Sequence, residues 1–117
     1  MEAFFAGPDE GEVEQDDVRR HRFLAELPDL EVLDSTYEAG WEGVDPHTHA
    51  DHTDSFFVLE GEVEFLLDGE WRRGGPGTFL SVPPGVVHGF RNPGPGRIRV
   101  LNIHAPKVGF NERIRSR

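Results

Sequence analysis

Turn signals interrupt this chain so often that no long element fits between them. From residue 30 onward, short apolar runs alternate with Glu60-Gly61, Asp68-Gly69, GGPG at 74–77, PPG at 83–85 and NPGPG at 92–96. Strands separated by turns every ~8–12 residues build sandwiches or barrels. LEVLDSTYE, SFFVL, TFLSV, VVHGF and RIRVLNIHA supply the strands, rich in β-branched and aromatic residues. Asp68-Gly69 is the sharpest hairpin cue, because both central residues of a tight two-residue turn need φ > 0. The 14 glycines and 9 prolines agree, since both residues break helices. The fold class read from this pattern is all-β.

The two ends of the chain read differently. Residues 1–17 hold seven acids and no base, and so carry −7 of the net charge of −10. Such a run is solvated and mobile. Residues 1–17 are therefore expected to form a flexible, irregular acidic arm, and 18–117 a single β-barrel domain. VRRHRFLAEL at 18–27 fits either a short helix or an irregular strand. The tail KVGFNERIRSR reads as a surface segment, with only weak support for a helix.

Composition excludes several classes. The absence of cysteine rules out disulfides, thiolate metal sites and cysteine nucleophiles. No apolar run approaches the ~20 residues of a membrane-spanning helix, so no membrane partner is expected. The N-terminus lacks the basic-then-apolar layout of a secretory signal, and the expected location is cytoplasmic. A strongly acidic chain is a poor match for a phosphate backbone, so no nucleic-acid partner is expected.

The six histidines carry the chemistry. Three fall in PHTHADHTD, at His47, His49 and His52. On an extended segment, His47 and His49 present both rings on one face, about 7 Å apart at Cα, where they can converge on one ion. Asp54 follows and can add an oxygen, and His88 can reach the same point from a distant strand. A lone H-x-H is a weak signal, because loop histidines often only face solvent. His52 is read as a rim residue.

Two motifs then resemble those of the cupin superfamily. The second cupin motif, G-x5-P-x-G-x2-H-x3-N, is present at every position, through Gly77, Pro83, Gly85, His88 and Asn92. The first, G-x5-H-x-H-x3,4-E-x6-G, is matched at His47, His49 and Gly61. It departs at its leading glycine and at Asp54, which stands where the family has Glu. About fifteen residues separate the motifs, a compact spacing similar to that of small single-domain, quercetin-dioxygenase-like bacterial cupins. The resemblance implies a double-stranded β-helix, a jelly-roll-like barrel with a metal inside one mouth. It implies His47, His49 and His88 as ligands and Asp54 at the carboxylate position. Such a set suits one divalent transition metal per chain, Fe, Mn, Ni, Cu or Zn. Aspartate is about 1.5 Å shorter in reach than Glu, so Asp54 is read either as a ligand or as a neighbouring group that serves as a base.

Strand alternation suggests the pocket. Phe56 shares the face of Asp54, and Phe90 that of His88. If Arg97 and Arg99 face water, Asn102 and His104 turn inward. The expected substrate pocket is therefore Phe56, Phe90, Asn102 and His104, the alternative for His104 being a strand end near the surface. Leu101 and Ile103 then lie on the outer face, which suggests a homodimer. Trp41 and Trp71 are read as core or interface residues. By resemblance, the expected function is a metal-dependent enzyme on a small organic molecule, with a dioxygenase acting on an enol or phenol as the best guess and Asp54 as possible base. The alternatives are a non-catalytic metal or ligand-binding module, and a metal-dependent isomerase or lyase on a sugar or keto acid.

Overall fold

The computed structural model describes residues 2–115. Ten strands and one helix follow in order: β1 (Glu12–Gln15), β2 (Arg19–Glu26), β3 (Glu31–Tyr37), β4 (Val44–His47), β5 (Thr53–Glu60), β6 (Val63–Leu67), β7 (Glu70–Gly74), β8 (Phe79–Val82), β9 (His88–Arg91), β10 (Ile98–Ala105) and α1 (Phe110–Arg115). They form a six-stranded sheet, β1-β2-β3-β10-β5-β8, and a four-stranded sheet, β4-β9-β6-β7. All pairings are antiparallel. This is the expected all-β, double-stranded β-helix arrangement. Among the described residues, no helix is long and apolar enough to cross a membrane.

The core lies between the sheets. Phe56 and Val58 of β5, Ile98 and Val100 of β10, Val63 and Phe65 of β6, and Phe90 of β9 meet there, with Tyr37 and Trp41 at one end. Period-two alternation produces this directly. In β10, Ile98, Val100, Asn102 and His104 are buried while Arg99, Leu101 and Ile103 are only half-buried. The Asp68-Gly69 hairpin joins β6 to β7 with φ of 50° and 91°, the two positive values the sequence calls for.

The ends depart from the sequence reading. Of the two readings of residues 18–27, a short helix or an irregular strand, the structure has the strand, β2, whose register slips between Phe23 and Ala25. Within the expected arm, residues 12–15 form β1 on the edge of the larger sheet, paired Glu14 to His21. Arg22 secures the segment before it, donating from Nη2 to the Gly7 carbonyl at 2.7 Å and from Nε to that of Glu10 at 2.8 Å. The same Arg22 and Arg99 flank the buried Asp34, whose carboxyl stays below its ordinary range because the two guanidinium groups outweigh burial. Arg99, expected to face water, thus has its guanidinium committed to an ion pair. The tail forms α1. Glu31 accepts from four consecutive backbone N–H groups, Val108 to Asn111, at 2.7–3.1 Å, which satisfies donors that a helix start leaves open.

Candidate metal centre

Register places the site. His47 and His88 are direct partners across β4 and β9. Asp54 and His104 are direct partners across β5 and β10. His49 and His52 come from the β4–β5 connection, where the His49 carbonyl accepts from the Gly85 N–H at 2.8 Å. Gly89, beside His88, lets β9 approach β4 closely. A Cβ there would sit 2.7 Å from the Val44 carbonyl oxygen.

Four imidazoles, those of His47, His49, His88 and His104, therefore lie around the Asp54 carboxylate, with His52 beside His49 and His104. One ligand atom from each of His47, His49, Asp54 and His88 lies within 4.8 Å of the others. Asp54 Oδ2 is 2.9 Å from His88 Nε2 and 3.3 Å from His49 Nε2. Oδ1 accepts from the Asn102 amide at 2.5 Å and lies 3.0 Å from His104 Nε2. Burial alone would raise the Asp54 carboxyl, but His104, His88 and Asn102 outweigh it and hold it well below the carboxylate range. A carboxylate held so low is a weak proton acceptor at neutral pH.

The rings are set by their outer nitrogens. His47 Nδ1 donates to the Asp45 carbonyl and His88 Nδ1 to that of Val86, both at 2.9 Å. This leaves each Nε2 for the site, the usual way a backbone carbonyl orients a ligating histidine. For His88, burial lowers the pKa, but the Asp54 and Val86 hydrogen bonds raise it overall. His49 behaves in the opposite way. Burial, reinforced by His52, His47 and His88 and opposed by Asp54, pushes it down to about 4, so it is neutral near pH 7 with a lone pair to give. Its Nε2 is buried with no hydrogen-bond partner. A buried orphan nitrogen beside a carboxylate and two oriented imidazoles is what a divalent transition ion would satisfy.

The cluster borders a cavity of about 460 Å³ whose walls include His47, His49, Asp54, Phe56, Phe90 and Asn102. Of the expected pocket residues, His104 is the exception. It is 1% exposed, neither at the surface nor on the cavity wall, and it packs edge-on against Phe110 at 3.9 Å between ring centres. His52 is likewise buried and not on the rim. Trp41 is buried as expected but also lines the cavity, stacked on Tyr37 at 3.6 Å. Trp71 is half-exposed beneath the Arg91 guanidinium. Sequence reading missed Tyr37, His21 and Phe110 as wall residues. The His21 and Tyr37 side chains meet at 3.3 Å.

Residues 33–104 match the family model described as Cupin domain. The chain belongs to the cupin family. Among its relatives, an uncharacterized protein of Aquifex aeolicus is 30% identical over 106 residues, covering 91% of this cupin and 82% of that protein. Quercetin 2,3-dioxygenase of Bacillus subtilis is 42% identical over 45 residues, which is 38% of this cupin and only 13% of that enzyme. Among solved structures, KdgF from Halomonas sp. superposes with a TM-score of 0.78 at 25% identity, covering 92% of this cupin and 96% of that chain.

Proposed function

We propose that this cupin is a metal-dependent enzyme acting on a small planar organic molecule, and that the reaction is dioxygenation of an enol or phenol. The observation that carries this reading is the His47–His49–Asp54–His88 cluster at the wall of an aromatic-lined cavity. The nitrogens of His47, His49 and His88 and a carboxylate oxygen of Asp54 would hold the ion. When bound, such an ion supplies Lewis acidity toward a substrate oxygen and, if redox-active, access to dioxygen. The chain's own residues do the rest. Trp41, Phe56 and Phe90 offer an apolar aromatic wall that packs against a ring and excludes water. The His21–Tyr37 pair puts two polar side-chain groups on the same cavity. Asn102 holds Asp54 Oδ1 and keeps the carboxylate from rotating. The partial match to quercetin 2,3-dioxygenase supports the reaction class.

A non-catalytic binding module is the second reading, favoured by Asp54, whose carboxylate is already engaged by His88 and Asn102. We also infer a homodimer through the outer face of the larger sheet. There Phe79 is 62% exposed beside Phe57, which is paired in turn to Leu101.

The test is elemental analysis of untagged protein, followed by oxygen uptake on a panel of enols and phenols. About one equivalent of Fe, Mn, Ni or Cu with substrate-dependent uptake supports the enzyme. Full metal with ligand-induced stabilisation but no turnover supports the module.

A further inference from the structure

Behind Asp54 lies a second group of nitrogens that the quartet does not use. His49, His52 and His104 each offer a ligand atom within 4.8 Å of the others. The Nε2 atoms of all three are buried and lack a hydrogen-bond partner. His52 and His104 are 2% and 1% exposed. Asp54 lies 3.3 Å from His49 Nε2 and 3.0 Å from His104 Nε2 without hydrogen-bonding either, and His52 Nε2 has no hydrogen-bond partner, so a cation between the three would satisfy them together. We propose that His49, His52 and His104 form a second seat for a divalent transition metal, separate from the His47–His49–Asp54–His88 quartet.

The local structure is built for ligation. His52 Nδ1 donates to Asp51 Oδ1 at 2.8 Å, which fixes the tautomer and leaves the Nε2 lone pair facing inward. The pairing of β5 with β10 sets His104 opposite Asp54, and Phe110 packs on its ring. His104 Nε2 lies 3.0 Å from Asp54 Oδ1 without forming a hydrogen bond to it. Ring centres are 4.2 Å apart for His49 and His52, and 4.7 Å for His52 and His104. Three imidazoles favour Zn²⁺, Ni²⁺ or Cu²⁺ over the oxygen-seeking Mg²⁺ and Ca²⁺. The two seats share His49, whose Nε2 is 3.3 Å from Asp54 Oδ2, while His104 lies 3.0 Å from Oδ1. The proposal depends on these nitrogens and not on any turnover at the quartet.

The test strips the quartet. In a His47→Ala/His88→Gln variant of the full chain, the second seat keeps all three ligands. After Zn²⁺ loading and gel filtration, about one equivalent should remain, falling at least tenfold when His52→Gln or His104→Gln is added. A folded variant without zinc overturns the proposal, as does zinc content indifferent to His52 and His104. Should the variant not fold, the intact chain gives the same answer by ¹⁵N NMR of the imidazoles during Zn²⁺ titration. The Nε2 signals of His52 and His104 should move to metal-bound positions, and signals that stay in place overturn the seat. The His47 and His88 signals report separately on the quartet.

Discussion

His88 Nε2 lies 2.9 Å from Asp54 Oδ2, although 34 residues separate them in sequence. Asp54 thereby links the sheets: it sits on β5 of the larger one and His88 on β9 of the smaller. Replacing Asp54 with Asn removes the charge but keeps the shape. Metal content of the variant should fall by at least tenfold. Its thermal midpoint without metal should also drop, because His88 loses its buried counter-charge. Elemental analysis and a melting curve check both, and unchanged metal content would remove Asp54 from the ligand set.

Acidity should weaken the metal-free protein through His49. Between pH 6.5 and about 4 the unfolded imidazole binds a proton that the folded one refuses. Stability therefore falls as pH drops through that window, by roughly 2 kcal/mol after allowance for partial exposure. His88 has the opposite sign. Its raised pKa contributes fully below the unfolded value and fades as pH rises through the folded one. Thermal midpoints of EDTA-treated protein at pH 7 and pH 4.5 should differ by several degrees. An NMR titration of the histidine rings separates the two contributions, and a His49 ring that protonates near pH 6.5 would contradict the buried, neutral His49.

Gly89→Ala should force β9 from β4, because the new methyl meets the Val44 carbonyl at 2.7 Å. We expect a loss of about 1–3 kcal/mol in denaturant unfolding. Metal affinity should fall with it, since His47 and His88 face each other across this pair.

Glu31→Ala should free the helix that closes the cavity. Four backbone donors lose their acceptor together, a loss of about 3 kcal/mol or more. Hydrogen exchange at residues 108–114 should accelerate well beyond that of β10. Uniform acceleration across the chain would mean that Glu31 anchors the whole fold and not the helix alone.

β3, β5, β6, β8, β9 and β10 were legible because their runs are rich in β-branched and aromatic residues and their turns carry glycine, proline or aspartate, whereas β4, short and without alternation, was not. β2 was not, for a physical reason. Arg22 lies buried on its outer face under residues 7–10, and the β2–β3 register slips between Phe23 and Ala25, so no clean period of two survives. β1 borrows its order from β2 and from Arg22, neither of which an acidic run reveals. α1 is too short to announce itself and depends on Glu31, about eighty residues upstream. In the site, H-x-H and the second motif pointed to His47, His49 and His88. The burial of His52 and the meeting of His104 with Asp54 follow from loop shape and strand register, which spacing alone does not encode.

The short side chain at position 54 ties its own size to that of the residue opposite it, His104. With Asp54, the space a longer carboxylate would fill is shared by Asn102, His88 and His104 at 2.5–3.0 Å. Installing the glutamate of the family motif by Asp54→Glu would crowd those groups instead of repairing the site. A smaller residue in place of His104 is the companion change that would make room for the longer carboxylate, and it would remove the His104 nitrogen from the site.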